Sequence, residues 1–223
     1  MTLKTEENVG PAVFRWDVLT IGHLSRNRYW GESDDRAYRE PLCTCTLIRT
    51  DGFTLVVDPG LPPEEMVRVL DRRAGLVPDS IDMVFLTHFH GDHRVGLEAF
   101  PAADWRMAPS EFEHQRSQLA AGSPDCEILE RLRPAGPEII PGIIVVETPG
   151  HSAGHASLSF ESEGKRIAVA GDAAMTRDFF QHRDYYFNTV DSDAAVTSIQ
   201  TIARAADIVV PGHDNYFLNR CLE

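Results

Sequence analysis

Apolar and β-branched positions in the first third of the chain form short runs that end at turn residues. Such runs predict β-strands at residues 13–21, 43–49 and 53–57. Asp51-Gly52 between the last two runs predicts a hairpin. Asp58-Pro59-Gly60 then ends a strand, and a helix is predicted to begin at Pro62-Pro63, where acidic residues fill the first turn. A strand, a turn and a helix therefore follow one another here.

The rest of the chain alternates apolar runs with segments of helical periodicity. Strands are predicted at residues 81–86, 143–147, 157–161, 167–170 and 208–210, and a helix at residues 192–205. Residues 109–133 are helical or irregular, with a break at Gly122-Ser123-Pro124, and could form a lid. Interleaved strands and helices predict an α/β fold of two sheets covered by helices, in one domain of residues 1–223.

Histidines and aspartates collect where the predicted strands end. The strand at 81–86 runs into Thr87-His88-Phe89-His90-Gly91-Asp92-His93, and alternate residues of an extended backbone project the same way. His88 and His90 can thus bind one ion while Asp92 and His93 turn towards a neighbour. Three further candidates each follow a glycine, which lets the backbone turn sharply: His151, Asp172 and His213. Imidazole and carboxylate ligands suit zinc, with iron and manganese as alternatives.

The composition narrows the class of partner. The chain has 223 residues, of which 43% are hydrophobic and 25% charged, and its formal net charge is −13. A negative average field repels polyanions, which argues against nucleic acid and favours a small-molecule substrate. No apolar run approaches the roughly 20 residues of a membrane span, and the N-terminus lacks the apolar segment of a signal peptide. These features predict a cytoplasmic protein without a membrane partner.

The cysteines do not form a recognisable motif. They stand at Cys43, Cys45, Cys126 and Cys221, and no pair has the C-x-x-C spacing of a thiolate zinc site or a redox motif. Buried reduced thiols are the favoured interpretation, and a reactive or disulfide-bonded pair is the alternative.

The His and Asp motifs, in this order, resemble those of the metallo-β-lactamase-fold hydrolase superfamily from Asp58 to Asp214, which is most of the chain. The resemblance implies a four-layer αββα sandwich with two mixed sheets flanked by helices. It implies two divalent metal ions per chain, with zinc favoured over iron or manganese. The implied ligands are His88, His90 and His151 for the first ion, Asp92, His93 and His213 for the second, and Asp172 bridging both. Asp58 would orient a ligand, since metal-bound imidazoles usually donate their other N–H to a carboxylate.

The implied chemistry is hydrolysis. Two metals about 3.5–4 Å apart can hold a bridging water that is hydroxide at neutral pH, and Asp92 could accept a hydrogen bond from it as a catalytic group. Tyr185, Tyr186 and Trp30 are candidates for the substrate pocket, together with Arg26 and Tyr29. Ordinary packing is an equal alternative for these aromatic residues. His155 is expected to hold the His151 loop, while three other histidines are expected to be exposed: His23, His114 and His182.

Departures from subfamily patterns narrow the substrate, because one fold serves many substrates. Asp172 stands where some β-lactamases place a cysteine ligand, and the stretch after His213 leaves no room for the helical domain of glyoxalase II enzymes. Met175 stands where lactonases of similar size carry a tyrosine, although a lactone substrate remains an alternative. The sequence shows no basic substrate arm, which argues against a transfer-RNA-processing nuclease. The sequence predicts hydrolysis of an ester, lactone or thioester in a small molecule. The alternatives are a phosphodiesterase or ribonuclease, a mononuclear iron persulfide dioxygenase, a β-lactamase and a non-enzymatic metal-binding module.

Overall fold

The computed structural model describes residues 14–220. The strands are β1 Arg15–Thr20, β2 Cys45–Arg49, β3 Thr54–Val57, β4 Met83–Leu86, β5 Asp104–Met107, β6 Arg133–Pro134, β7 Ile144–Glu147, β8 Ala156–Ser162, β9 Lys165–Gly171, β10 Ile208–Pro211 and β11 Phe217–Leu218. The α-helices are α1 Pro63–Ala74, α2 Gly91–Arg94, α3 Pro109–Gln118, α4 Pro124–Arg131, α5 Arg177–His182 and α6 Ser192–Ala205. Within this part of the chain, every helix is too short or too polar to cross a membrane.

Six strands form the first sheet, in the order β1-β2-β3-β4-β5-β6. The first three are antiparallel neighbours, whereas β3, β4, β5 and β6 run parallel to one another. Parallel strands place their carboxyl ends at the same edge of a sheet, so the residues after β3 and β4 become neighbours. The N–H of Asp58, directly after β3, accordingly donates to the carbonyl of Phe85 in β4 at 3.0 Å.

Five strands form the second sheet, in the order β11-β10-β9-β8-β7. Only β9 and β10 run parallel among the described strands of this sheet, and Gly171 pairs with Pro211 at their carboxyl ends. Backbone hydrogen bonds join the two sheets at this edge. The N–H of Ala156 donates to the carbonyl of Thr87 at 3.0 Å, and the N–H of Thr44 donates to the carbonyl of Gly212 at 2.6 Å. The strand ends that carry His or Asp motifs therefore open on one side of the molecule.

Alternate residues of the central strands face different layers, and both faces are buried. Between the sheets lies a core to which both contribute: Ile48, Leu55, Val57, Phe85, Leu158, Phe160, Ile167 and Val169. The opposite face of the first sheet packs on α1 and neighbouring segments: Leu47, Val56, Val84, Leu86, Met66 and Leu70. The opposite face of the second sheet packs on α6: Ala168, Ala170, Ile199 and Ile202. This is the four-layer αββα sandwich, and the predicted fold class is confirmed.

Most predicted elements occur within one or two residues of their expected bounds, and α6 begins and ends where predicted. The predicted start of the first strand, Val13, lies outside the described residues. The sequence missed β5, whose Asp104-Trp105-Arg106-Met107 alternates polar and apolar residues over only four positions. The segment expected to be helical or irregular forms α3 and α4, and the break expected at residues 122–124 occurs where Ser123 caps α4 by accepting the N–H of Cys126.

The cysteines are thiols rather than disulfides among the described residues. Cys43 and Cys45 are fully buried and Cys126 is half-buried, while Cys221 lies outside the described residues. Burial, together with the nearby Asp58 carboxylate, raises the pKa of both Cys43 and Cys45 well above its ordinary value. Unreactive core thiols are the result.

Phe85 is the largest fully buried side chain in the core between the sheets, so its truncation tests the layered packing. We expect Phe85→Ala to lower the free energy of unfolding by about 3–5 kcal/mol, because transfer and cavity costs add. Urea denaturation of the metal-free protein measures this. The control is Val77→Ala, at a side chain 61% exposed, where a change within about 0.5 kcal/mol is expected. A loss below about 1 kcal/mol for Phe85→Ala would contradict the packing.

Candidate metal centre

Seven potential ligands reach one place from the ends of four strands. His88 and His90 follow β4, and α2 then turns Asp92 and His93 back towards them. His151 lies on the loop between β7 and β8, Asp172 directly follows β9, and His213 follows β10. Two ligand groups result, in each of which the ligand atoms lie within 4.8 Å of one another: the first group is His88, His90, His151 and Asp172, and the second group is Asp92, His93 and His213.

The first group is compact and almost fully buried. His90 Nδ1 lies 2.9 Å from His88 Nε2 and 3.0 Å from His151 Nε2. The Oδ2 atom of Asp172 lies 3.1 Å from His151 Nε2 and 3.8 Å from His88 Nε2. Three imidazole nitrogens and one carboxylate oxygen therefore face a common point, which is the ligand number and type of a tetrahedral zinc site.

The second group is joined to the first through Asp172. Its other oxygen, Oδ1, lies 3.2 Å from His93 Nε2 and 3.3 Å from His213 Nε2. Asp92 Oδ2 lies 3.6 Å from His213 Nε2. The two oxygens of one carboxylate thus face different ligand groups, which is the arrangement expected of a bridging ligand.

Two buried ligand atoms of the centre have no hydrogen-bond partner within the described part of the protein. His93 Nε2 and Asp172 Oδ1 are buried, lie close together and still have no hydrogen-bond partner of acceptable geometry. An unpaired buried polar group is costly, so it is normally matched by a ligand or an ion. Five imidazoles and two carboxylates are ligand types that suit divalent zinc, iron or manganese.

Burial controls the protonation of the first group. It lowers the pKa of His88 and His90, and it lowers the pKa of His151 to about 3. Imidazoles that stay neutral retain the lone pair that binds a metal. For His93 and His213 burial acts in the same direction, but the nearby carboxylates together outweigh it and raise the pKa of both: Asp172 acts on both rings, with Asp58 beside His93 and Asp92 beside His213. Burial alone would raise the pKa of Asp172, yet the surrounding histidines hold it well below its usual range.

Hydrogen bonds outside the ligand set fix which nitrogen of three histidines is free. The N–H of Thr87 donates to Asp58 Oδ1 at 2.8 Å, and the Thr87 hydroxyl donates to Asp58 Oδ2 at 2.7 Å. His93 donates its Nδ1–H to the same Oδ2 at 2.9 Å, while His88 donates its Nδ1–H to the Thr87 hydroxyl at 3.1 Å. His213 donates its Nδ1–H to the carbonyl of Leu42 at 2.8 Å. In each case Nε2 is the nitrogen that faces the centre.

His155 is tied to both the His151 loop and the bridging carboxylate. Its Nε2 accepts the backbone N–H of Asp172 at 3.1 Å, so its Nδ1 carries the proton and donates to the Thr148 hydroxyl at 2.9 Å. Burial lowers the pKa of His155 to about 3, which keeps the ring neutral. The sequence predicted the contact with the loop and missed the one with Asp172.

The other histidines differ partly from expectation. His182 is exposed and stacks on Tyr29 with ring centroids 4.6 Å apart. His23 and His114 were expected to be exposed but are half-buried. His23 is held by main-chain bonds to Leu42, which pair the segments on either side of the loop between β1 and β2. Nothing in the sequence singles out Thr87 or Leu42 beyond their position beside a motif or a turn.

A cavity of about 330 Å³ opens onto the ligands. Its wall beyond the ligands comes from the β1–β2 connection and from the segment after β9: Leu24, Ser25, Pro41, Met175, Tyr186, Phe187 and Asn188. No residue of α3 or α4 lines it, so the suggested lid does not cover this cavity. Tyr186 is in the wall, but Tyr185 and Trp30 are not. Tyr185 and Trp30 are 41% and 56% exposed.

The remaining pocket candidates bind other protein groups. The hydroxyl of Tyr186 contacts the Ser25 hydroxyl at 3.0 Å and donates to the carbonyl of Arg26 at 3.1 Å. The guanidinium of Arg26 lies over the Phe187 ring, 4.3 Å from its centroid. Burial and Asp184, to which the Tyr29 hydroxyl donates at 2.8 Å, raise the pKa of Tyr29 to about 12. These contacts join the two segments of the wall.

Comparison with known proteins identifies the family. The sequence model of the metallo-beta-lactamase superfamily matches residues 38–213. The chain belongs to the metallo-beta-lactamase superfamily. An N-acyl homoserine lactonase from Bacillus cereus is 25% identical over 201 residues, which cover 76% of this chain and 80% of that protein. An N-acyl homoserine lactonase from Bacillus thuringiensis is 26% identical over 207 residues, with the same coverage.

Solved structures of this superfamily share the fold. A quorum-quenching N-acyl homoserine lactone hydrolase superposes with a TM-score of 0.69 at 23% identity, covering 92% of this chain and 93% of that one. A second structure of an N-acyl homoserine lactone hydrolase gives a TM-score of 0.67 at 22% identity, covering 92% and 94%. The predictions of this superfamily, of its fold and of a metal-dependent hydrolase are confirmed.

Asp58 offers a test of how the second group is oriented. In Asp58→Asn the side chain keeps one acceptor oxygen but turns an amide donor towards a second donor, so His93 Nδ1–H or Thr87 loses its acceptor. We expect metal affinity to fall about 10–100-fold, the usual effect of losing such a partner. Competition with a chromophoric chelator measures it. Asp79→Asn, at an exposed aspartate, is the control. Equal affinity in Asp58→Asn and wild type would show that Asp58 does not orient His93.

Proposed function

We propose that this enzyme hydrolyses a lactone or another carboxylic ester bond of a small molecule at a centre of two divalent metal ions, with zinc favoured. The observation that carries the proposal is the division of the Asp172 oxygens between the two ligand groups. The relatives named N-acyl homoserine lactonases support the class of bond. One of the similar structures has the product N-hexanoyl-L-homoserine bound at its catalytic metal centre.

The ligands would divide between the ions as the geometry divides them. His88, His90 and His151 would hold the first ion, the second group would hold the other, and Asp172 would contact both. Divalent metals in such a site lower the pKa of water and polarise a substrate carbonyl. Asp92 is half-buried in the cavity wall, so its carboxylate can take a proton from the attacking water and pass it to the leaving oxygen.

The cavity favours a small, largely apolar substrate without negative charge. Its wall beyond the ligands is mostly apolar, and none of the described residues that line it is a lysine or arginine. A phosphate or carboxylate group that extends away from the metals would therefore find no cation among these wall residues. A thioester of a polyanionic carrier or an RNA end is therefore a poorer fit than a neutral acyl compound. A cytoplasmic location stays a prediction.

Metal content measured beside activity tests the proposal. We expect close to two zinc ions per chain and hydrolysis of lactone or aryl ester substrates. Asp172→Ala should lose at least one ion and lower kcat/KM at least about a thousandfold, because several kcal/mol of charge stabilisation are removed. Asp79→Ala is the matched control, an exposed aspartate outside the site.

Other outcomes would replace the proposal. One iron per chain would favour a mononuclear oxygenase, and turnover confined to a bis-aryl phosphodiester would favour a nuclease or phosphodiesterase. Turnover confined to a β-lactam would favour a lactamase. Full metal loading without turnover on any of these substrates would favour a metal-binding module.

The hydrogen bonds of Tyr186 lead to a prediction about its hydroxyl. Because this group donates to the carbonyl of Arg26, it is not free to steady a developing oxyanion. We expect Tyr186→Phe to keep kcat/KM within about tenfold of wild type, since the ring still forms the wall and the two hydrogen bonds that are lost, with Ser25 and Arg26, join protein groups only. Tyr185→Phe serves as the control at an exposed neighbour. A loss of kcat of about 100–1,000-fold in Tyr186→Phe would instead identify an oxyanion donor.

A further inference from the structure

Glu111 is a fully buried carboxylate that belongs to neither ligand group. It lies in the first turn of α3 and has no solvent-exposed surface. A buried charge is normally paired or hydrogen-bonded, and the described residues place no lysine or arginine in hydrogen-bonding contact with it. Its four hydrogen-bond donors are instead two backbone N–H groups, one hydroxyl and one amide: Phe89, Gly154, Ser152 and Gln115.

The two oxygens of Glu111 bind different segments of the metal centre. Oε1 accepts the N–H of Phe89 at 3.2 Å, and Phe89 is the residue between the ligands His88 and His90. Oε2 accepts the Ser152 hydroxyl at 2.8 Å and the N–H of Gly154 at 3.1 Å, both on the loop that carries His151. The first segment follows the first sheet, whereas the loop leads into β8 of the second sheet. One carboxylate therefore joins the two segments that supply all three histidines of the first group.

Close packing supports this connection. A Cβ atom at Gly154 would lie 2.1 Å from the backbone nitrogen of Glu111, so the loop touches the first turn of α3 without any side chain between them. The hydroxyl of Ser110 also donates to the carbonyl of Gly154, at 3.2 Å. Both the donor and the acceptor of the Gly154 backbone are thus held by adjacent residues of α3.

The segment of His88 and His90 is held from a second direction. Arg94 donates its Nε–H to the carbonyl of Phe89 at 2.9 Å, and its guanidinium lies over the Phe89 ring, 4.3 Å from the centroid. Arg94 also contacts Asp125 of α4 at 2.6 Å. The backbone of Phe89 is consequently held at its N–H by Glu111 of α3 and at its carbonyl by Arg94, which is itself bound to α4.

We infer that Glu111 is a positioning residue: its carboxylate holds the His88–His90 segment and the His151 loop at the separation that the first metal ion requires. The inference rests on the proposed metal centre. It also assigns a function to α3 and α4, which do not line the cavity: they hold the backbone segments that carry the ligands. Glu111 makes no hydrogen bond to a ligand side chain, so it holds the ligands through the two segments that carry them.

Glu111→Gln is the sharpest test, because it keeps the size of the side chain but not its four acceptor positions. A glutamine has one acceptor oxygen, and its amide nitrogen would face either Phe89 N–H or Gly154 N–H, both of which are donors. In the metal-free protein we expect one of these two amides to exchange with deuterium at least about tenfold faster than in wild type. Glu113→Gln, on the exposed side of the same helix, is the control.

Stepwise metal titration separates positioning from general destabilisation. We expect Glu111→Gln to lower the affinity for one of the two zinc ions about 10–100-fold and to leave the affinity for the other within about threefold of wild type. This is the effect expected when one site loses a residue that orients its ligands. Cobalt in place of zinc should show a changed absorption spectrum for the weakened ion alone. At saturating zinc, kcat should recover towards wild type while KM stays unchanged.

Three results would overturn the inference: wild-type affinity for both ions, equal weakening of both ions, or unchanged exchange of both amides. If Glu111→Gln does not fold, Ser152→Ala removes a single donor to Oε2 and should weaken the same ion severalfold; wild-type affinity there would also overturn it. A wild-type protein that binds two ions but hydrolyses no lactone or ester would refute the proposed function and leave this inference standing. A wild-type protein that binds no metal would refute both.

Discussion

The Asp172 carboxylate is buried among four imidazoles, and everything around it has to be reconciled with that charge. Its Oδ2 faces the histidines of the first group and its Oδ1 faces those of the second, without a hydrogen bond to Oδ1. A carboxylate in such a place is stable only beside positive charge. The neighbouring residues use their hydrogen-bonding groups on the far sides of the rings, as Asp58 does with His93 and Leu42 with His213. The interior of the centre is thereby left to cations.

Two pairs of parallel strands make this arrangement possible. β3 and β4 in the first sheet, and β9 and β10 in the second, direct their carboxyl ends to the same side of the sandwich. Since the sheets pack face to face through one apolar core, the four ends converge without any long excursion of the chain. Close approach needs small residues at the junction: a Cβ at Gly212 would lie 2.0 Å from Asp172 Oδ1. The glycines before the motifs therefore serve proximity as much as turning.

The sequence predicted the parts of this structure that depend on local periodicity and on dense motifs. The strands, α6 and the order of the His and Asp motifs could be read from the chain because each is encoded by residues close together. β5 was missed because four alternating residues resemble a loop, and its place in the sheet comes from pairing with β4. Glu111 gave no signal, since its donors in the metal-ligand segments lie more than twenty residues before it and about forty residues after it. The residues around it in sequence form a mostly polar helix in which nothing distinguishes Glu111 from an exposed glutamate.

The exposure of aromatic residues was equally hard to foresee. Tyr185 and Tyr186 are adjacent in sequence, yet only the second packs against Leu24, Met175 and Phe179. Which of two neighbours turns inward is decided by the turn after α5, where Arg183 adopts a left-handed conformation with φ of 53°. Nothing in the composition of this stretch distinguishes the two tyrosines.

The wall of the cavity beyond the ligands is built from two connections, whose single candidate metal ligand is Asp172, at the start of the second. One lies between β1 and β2 of the first sheet, the other follows β9 of the second, and they meet through Tyr186 with Ser25 and through Tyr29 with Asp184. Loops of this kind tolerate substitution and insertion far better than the elements they connect. Selection can therefore reshape what the enzyme accepts while the hydrolytic machinery is inherited unaltered. Within one lineage, substrate range is free to diverge much faster than chemistry.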